Sequence, residues 1–168
     1  MSTSPLIDDS FLAEDGAPSS LLTFGLGRDT FGLNVMRVQE ILDIVSVTRV
    51  PHANAFAPGV INVRGNVVPV IDLRHRFGLP PKPEGKSNRT VVFEVTLDGQ
   101  NTRVAMGVDM VYNVEPLVDI EIEPLPESGT KWNKELIRGI TRIRDQLTII
   151  LNLDGVFDTS IQSTKPLR

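Results

Sequence analysis

Cysteine and histidine, two residues that often build catalytic and metal sites, are scarce in this chain of 168 residues. There is no cysteine, which excludes a disulfide framework and a zinc site built on thiolates. The two histidines, His52 and His75, do not lie at a metal-ligand spacing. The sequence also lacks a P-loop, a G-x-S-x-G elbow and a G-x-G-x-x-G fingerprint. It therefore favours a protein that is not an enzyme and holds no cofactor.

Long apolar segments are missing as well. No apolar run approaches the ~20 residues that a membrane-spanning helix needs. The N-terminus lacks the basic segment and the apolar stretch of a secretory signal. We therefore expect a cytoplasmic protein without direct membrane insertion.

Excess charge is confined to the N-terminal end of the chain. The sequence contains 17 Lys and Arg residues and 21 Asp and Glu residues. The first twenty residues contain no base and hold the acids Asp8, Asp9, Glu14 and Asp15, so the remaining 17 acids balance the 17 bases. The body of the protein is thus neutral, and the basic footprint of a protein that binds nucleic acid is absent.

Composition divides the chain into two tails and a folded part. Residues 1–19 combine acids with Ser, Pro and Gly, which predicts a disordered tail. A solvated tail is favoured over an interaction segment, although both interpretations stay open. Residues 158–168 are polar and predicted to fray, which leaves 20–157 as the folded part. A proline-rich connector after Gly78 separates two halves within it, roughly 20–78 and 89–157.

The segment 58–78, PGVINVRGNVVPVIDLRHRFG, predicts a β-hairpin followed by a short helix capped by Asp72. We place the turn at Gly65-Asn66 as type II′, because glycine reaches a positive φ without strain. That turn pairs Val63 with Val68 and gives one apolar face, formed by Ile61, Val63, Val68 and Val70. Pro69 cannot donate to a ladder, which predicts a free edge or a bulge there.

The chain repeats part of its own pattern. A shift of 80 positions places Arg64 on Arg144, and a shift of 75 places Glu40 on Glu115. Duplication is favoured over coincidence, but matches between apolar residues arise easily and both explanations stay open. The second copy is imperfect, since Asp145-Gln146 occupies the position of the predicted glycine turn.

Many short strands at close spacing, with almost no helix, favour an all-β fold of small barrels. Two halves of similar pattern predict two such barrels. A few short helical turns are expected beside them.

The segment 59–78 closely resembles the signature of the CheW family, G-V-I-N-L-R-G-x-V-V-P-V-I-D-L-R-x-R-F, with Val63 in place of leucine. Further blocks match in the same order, including Val38-Gln39-Glu40-Ile41 and Thr48-Arg49-Val50-Pro51. The resemblance implies two five-stranded SH3-like barrels packed side by side. It also implies that strands can be exchanged between the two halves of the sequence.

The resemblance further implies a non-catalytic chemotaxis adaptor in membrane-associated receptor arrays. Its partners would be the cytoplasmic tip of methyl-accepting chemoreceptors and the regulatory domain of the histidine kinase CheA. The groove for the receptor would be formed by Val38, Glu40, Gly59, Arg64, Val111 and Val114. The surface for the kinase would lie on the first barrel, near Val35 and Val47.

Several points stay open in the sequence. Arg64 fits either a structural ion pair with an acid such as Glu40 or the border of a partner groove. Trp132 fits either an anchor for a partner or a lid over a barrel end. Ser128 stands where the family often has an aromatic residue, which puts the ring-forming contact of the family in doubt. An adaptor for a related array, such as one for pilus motility, is the alternative function, and a small-ligand-binding or enzymatic barrel ranks third.

Overall fold

The computed structural model describes residues 20–157 apart from 44, 81–88, 98, 119 and 127–131. The two predicted tails and Ser128 lie outside the described residues. The strands are β1 Ser20–Leu26, β2 Asp29–Asn34, β3 Val38–Leu42, β4 Thr48–Arg49, β5 Gly59–Val63, β6 Asn66–Ile71, β7 Arg89–Leu97, β8 Gln100–Val108, β9 Met110–Pro116, β10 Ile137–Ile143 and β11 Gln146–Leu151. The short helices are α1 Leu73–Arg76 and α2 Leu153–Phe157, and 3-10 turns span Val35–Arg37 and Lys134–Leu136.

The strands form two sheets. The five-stranded sheet has the order β10-β11-β2-β1-β9, and the six-stranded sheet has the order β3-β7-β8-β6-β5-β4. The prediction of an all-β fold with two SH3-like barrels and few helical turns is confirmed. The strand number differs in one barrel, because the two-residue strand β4 pairs with β5 at its edge.

Each sheet contains strands from both halves of the sequence. The five-stranded sheet contains β1 and β2 from the first half and β9, β10 and β11 from the second half. The six-stranded sheet contains β3, β4, β5 and β6 from the first half and β7 and β8 from the second half. The contact between β1 and β9 brings Leu22 opposite Val114. The proline-rich connector therefore divides the sequence but does not mark the division between the sheets.

The core has a shared part and two separate parts. β1 alternates its side chains between them, since Leu22 and Phe24 join a cluster with Phe93 and Met106 of the six-stranded sheet. Leu21, on the other face of β1, packs in a small cluster inside the five-stranded barrel with Leu117, Ile122 and Ile150. The corresponding cluster inside the six-stranded barrel contains Ile61, Val63, Val68, Val92 and Ala105. The shared cluster packs the two barrels against each other.

The central hairpin has the predicted strands and helix cap, but the predicted turn was wrong by one residue. Its two-residue loop is Arg64-Gly65, and Asn66 lies in β6 opposite Val63. Both loop residues have positive φ, 51° and 86°, which is the type I′ pattern. The Asn62 side chain accepts a hydrogen bond from the Gly65 amide at 2.9 Å and supports the turn.

The register of this hairpin consequently differs from the prediction by two residues, with Val68 opposite Ile61. A shift of two keeps every side chain on its predicted face. Ile61, Val63 and Val68 are buried and Val70 packs against them. The pairing of β6 with β8 begins at Val70, so Pro69 lies just before this ladder, on an edge that is free there as predicted.

We expect stability to fall when the glycine of the first hairpin turn is replaced, and to rise when a glycine is introduced at the equivalent position of the second turn. Arg144 and Asp145 form the loop of the second hairpin with φ of 51° and 65°. Replacing Gly65 with valine should lower the free energy of unfolding by about 1–2 kcal/mol, because a branched residue is strained at that φ. A Cβ at Gly65 would meet no described heavy atom within 4 Å, so the loss would come from the backbone.

The matched control is Asp145→Gly, which should raise the free energy of unfolding by up to about 1 kcal/mol. Urea denaturation of both variants measures the two changes. Equal effects of the same sign would contradict the assignment of these turns.

None of the helices in the described ranges has the length and apolarity to cross a bilayer.

Candidate partner-binding surfaces

Val38 and Val111, two of the residues predicted to contact the receptor, lie at the rim of the shared cluster. Val38 is on β3 opposite Phe93, and Val111 is on β9 opposite Phe24. Both valines are partly buried and pack against that cluster. β3 and β9 are each the last strand of their sheet. The fold therefore places these two valines at strands with a free edge, next to the junction of the barrels.

Glu40 and Arg64 form an ion pair at the end of the central hairpin. Arg64 Nη2 lies 2.7 Å from Glu40 Oε2, and the two side chains are 79% and 19% exposed. An exposed pair of this kind contributes at most about 1 kcal/mol to stability. The guanidinium has five N–H donors, so it can bind a further acceptor while it stays paired. Both interpretations of Arg64, structural and functional, are thus compatible with this geometry.

Gly59 serves a close approach of two strands. A Cβ on Gly59 would lie 2.6 Å from the carbonyl oxygen of Thr48 and 2.7 Å from Cγ1 of Val47. Any side chain here would push β4 away from β5. Gly59 therefore shapes the surface around Val47 and does not present a side chain to a partner.

The remaining predicted residues spread over both surfaces. Val114 is exposed on β9 opposite Leu22. Val47 is exposed beside Gly59, whereas Val35 packs against the shared cluster as Val38 and Val111 do. Gly59, assigned to the receptor, thus lies beside Val47, assigned to the kinase, and Val35 shares its packing cluster with Val38 and Val111.

Sequence reasoning missed a second ion pair that matches the first. Arg144 Nη1 lies 2.7 Å from Glu115 Oε2, and the side chains are 68% and 11% exposed. Arg144 follows β10 as Arg64 follows β5, and Glu115 corresponds to Glu40. The sequence held part of this signal, because the shift of 80 relates Arg64 to Arg144 and the shift of 75 relates Glu40 to Glu115. Only the fold shows that the partners meet.

Exposed apolar side chains lie on or beside both sheets. Sequence reasoning missed most of them, because an apolar residue on a short strand is assigned to the core when one face of the strand is assumed to be buried. Large exposed apolar side chains mark interaction surfaces when they are contiguous. Those on or beside the six-stranded sheet are Ile41, Val47, Val50 and Val67. Those on the five-stranded sheet are Met110, Tyr112, Val114 and Leu147.

Trp132 packs against the shared cluster. Its ring centroid lies 6.4 Å from that of Phe31 and 6.4 Å from that of Phe77. This arrangement favours the lid over the partner anchor. Among the described residues, no group of three or more His, Cys, Asp or Glu side chains could hold a metal ion.

The chain matches a family model described as CheW-like domain over residues 20–160. It is 32% identical over 137 residues to a probable chemotaxis protein CheW of Rhizobium etli, with 82% of this chain and 86% of that protein covered. It is 30% identical over 150 residues to the chemotaxis protein CheW of Klebsiella aerogenes, with 89% and 88% covered.

A solved structure agrees with these matches. The crystal structure of the scaffolding protein TtCheW from Thermoanaerobacter tengcongensis superposes with a TM-score of 0.72 at 32% sequence identity. The match covers 87% of this chain and 97% of that chain. The family model, the relatives and the fold agree, and the chain belongs to the CheW family of chemotaxis coupling adaptors.

Proposed function

We propose that this chain is a non-catalytic adaptor that couples chemoreceptor tips to the regulatory domain of CheA in cytoplasmic arrays at the membrane. The observation that carries the proposal is Arg64, which is paired with Glu40 at 2.7 Å and yet is 79% exposed. A partner can therefore reach a guanidinium that already has an acidic neighbour and still has N–H donors for a further acceptor.

The receptor surface combines an apolar floor with a polar rim. Val38 and Val111 supply partly buried apolar surface at the shared cluster, and Glu40 lies two residues beyond Val38 on β3. An amphipathic helix binds in such a groove by apolar contacts, and polar groups at the edge set its orientation. The helical tip of a receptor is a partner of this kind.

The part of the proposed kinase surface around Val47 lies at the other end of β5, whereas Val35, also assigned to the kinase, packs against the shared cluster. Val47 and Val50 are exposed beside Gly59, which is the first residue of β5, whereas Arg64 follows its last residue. A strand rises ~3.3 Å per residue, which separates the two ends by about 15 Å. Sites this far apart without a shared partner respond independently to substitution.

We expect Arg64→Ala to weaken receptor binding by about 1–3 kcal/mol, because it removes a planar group with several donors. Binding to the kinase regulatory domain should be unchanged. Val47→Asp should show the converse result. Calorimetric titration of each variant with a receptor-tip fragment and with the kinase domain measures both affinities.

Arg144→Ala is the matched control, since it removes an arginine with the same pairing distance from the other barrel. It should leave both affinities unchanged. Equal loss of both affinities in Arg64→Ala, together with a lowered thermal midpoint, would show that Arg64 has only a structural role.

A further inference from the structure

The parallel pairing of β6 with β8 is short, although both strands extend beyond it. The paired residues are Val70 with Ala105 and Ile71 with Met106. Residues 66–69 of β6 pair with β5, and residues 100–104 of β8 pair with β7. Within the described ranges, the facing edges of these two segments carry no further strand.

Pro69 explains why the pairing stops. Hydrogen-bonded pairs alternate along the hairpin of β7 and β8 from its closing pair, Leu97 and Gln100, so the backbone amide and carbonyl of Arg103 point away from β7. The next step of the parallel ladder would require residue 69 to donate its amide to the Arg103 carbonyl. Proline has no amide hydrogen, so this step cannot form. The edge of β8 at Asn101 and Arg103 is thus open to another strand.

A cavity of about 460 Å³ lies between the two edges. Its lining consists of residues 66–69 of β6 and residues 101–103 of β8. Val67 is 69% exposed, and Arg103 is exposed on the opposite wall, so the cavity opens to solvent. An extended segment can occupy a gap of this kind by pairing its backbone with the free sheet edge.

The two walls present different chemical groups on opposite faces of the sheet. Arg103 lies two residues from Ala105, which packs inside the six-stranded barrel, so the two side chains share a face. Val67 lies four residues from Ile71, which belongs to the shared cluster on the other face. Successive side chains of a strand alternate between faces. A segment that fits the gap therefore has an acidic residue beside an apolar one.

Charge indicates which segment this is. From β3 to β8, Asp43 is the one exposed acid among the described residues. The exposed arginines over the same ranges are Arg49, Arg64, Arg89 and Arg103. Residues 1–19 hold four acids and no base, and residues 6–12, LIDDSFL, place apolar residues beside Asp8 and Asp9. The N-terminal segment thus has the charge and the alternation that the cavity requires.

The N-terminal segment is also long enough. It joins β1 at Ser20. Residues 9–19 can span about 36 Å when extended, whereas a folded domain of this size has a radius of gyration of about 14 Å. The acids at positions 8 and 9 can therefore reach across the domain to Arg103.

We propose that the cavity between β6 and β8 holds the acidic N-terminal segment of the same chain, with residues 6–12 paired as an extended strand with the free edge of β8. A carboxylate of Asp8 or Asp9 pairs with Arg103, and the adjacent apolar side chain covers Val67. The segment thereby covers an exposed sheet edge, which protects the chain from edge-to-edge association. This inference does not depend on the adaptor function proposed above.

The test uses the full chain with a nitroxide on Ser4→Cys, which is the sole attachment site because the sequence has no cysteine. The nitroxide should broaden the NMR methyl signals of Val67 and Val68. The signals of Ile143 and Leu147, in the equivalent hairpin of the other barrel, should stay sharp. These two residues serve as a control within the same molecule.

Arg103→Glu should abolish the broadening at Val67, because it places a carboxylate opposite the acidic segment. Arg89→Glu is the matched control, since it makes the same change of charge at an exposed arginine of the same barrel outside the cavity lining. It should leave the broadening unchanged. Replacing both Asp8 and Asp9 with asparagine changes the segment instead of the barrel and should also abolish the broadening. Thermal midpoints verify that each variant folds.

Four results would overturn the proposal. Broadening that is equal in both barrels, or absent from both, would show that the segment does not occupy the cavity. Broadening at Val111 and Val114 in place of Val67 would assign the segment to the predicted receptor groove. Broadening that persists in Arg103→Glu would exclude the charge pairing. Broadening of isotope-labelled chain by a separate spin-labelled chain in a mixture would assign the cavity to a second copy.

Discussion

Replacing Phe31 with alanine is expected to lower the free energy of unfolding by about 3–5 kcal/mol, which is typical of a large aromatic residue removed from a core. Phe31 is fully buried on β2. Its ring centroid lies 5.8 Å from that of Phe24 and 5.3 Å from that of Phe77. Phe77 follows α1, at the end of the hairpin of the six-stranded sheet. Because Phe31 joins elements of both barrels, its loss should destabilise both together.

Guanidinium denaturation tests this expectation with two probes. Trp132 fluorescence reports the shared cluster, since the indole packs against Phe31 and Phe77, and circular dichroism reports all strands. The two curves should coincide in the native chain and in Phe31→Ala. Phe31→Leu is the control and should cost about 1–2 kcal/mol, because it keeps most of the apolar volume. Two separate transitions would show that the barrels unfold independently.

The buried and exposed faces of the central hairpin could be predicted from sequence, because the alternation of side chains along each strand does not depend on the exact position of the turn. A two-residue change of register leaves Ile61, Val63 and Val68 on the same side. The turn itself could not be located, because type I′ requires a positive φ at Arg64. Arginine does not favour that conformation, whereas glycine does. The sequence therefore pointed to Gly65 as the first loop residue when it is the second.

The pairing of strands between the halves could not be derived from local patterns. β1 lies beside β9, and Thr23 Oγ1 donates to the Asn113 carbonyl 90 positions away. Alternation specifies which face of a strand is buried, but it does not specify the strand beside it. Only the resemblance to the CheW family implied that strands can be exchanged.

The residues named for the partner surfaces stay a prediction, and the structure adds how some of them are arranged. Arg64 and Glu40 were named, and the geometry joins them. Gly59 was named as a contact, which stays a prediction, and the structure shows that it allows the close approach of β4 to β5. The pair of Glu115 and Arg144 was missed because their meeting depends on the approach of β9 to the second hairpin. Tertiary contacts of this kind have no local sequence signal.

Arg74→Ala is expected to lower the free energy of unfolding by about 3 kcal/mol. Arg74 lies on α1 and pairs with Asp109, and the two side chains are only 9% and 25% exposed. The other carboxylate oxygen of Asp109 accepts from the Gly27 amide at 2.7 Å, and the Asp109 amide donates to the Gly25 carbonyl at 2.9 Å. Removing one partner of a largely buried pair leaves an uncompensated charge.

This network connects the two barrels, because α1 follows the hairpin of the six-stranded sheet and Gly25 lies on β1 of the other sheet. A double-mutant cycle with Arg74→Ala, Asp109→Ala and the double variant isolates the energy of the pair. We expect a coupling of about 1–3 kcal/mol from urea denaturation. Arg64→Ala is the matched control, since the same substitution at an exposed pair should cost at most about 1 kcal/mol.

The double-mutant cycle distinguishes two ways in which Arg74 can stabilise the fold, through its charge and through the packing of its side chain. If the cost at Arg74 reflects the charge of Asp109, then Asp109→Ala should relieve most of the penalty of Arg74→Ala, because no carboxylate that has lost its guanidinium partner remains. If the coupling is near zero, Arg74 stabilises α1 through the aliphatic part of its side chain. The guanidinium would then not join the barrels electrostatically, and the shared apolar cluster around Phe31 would hold them together alone.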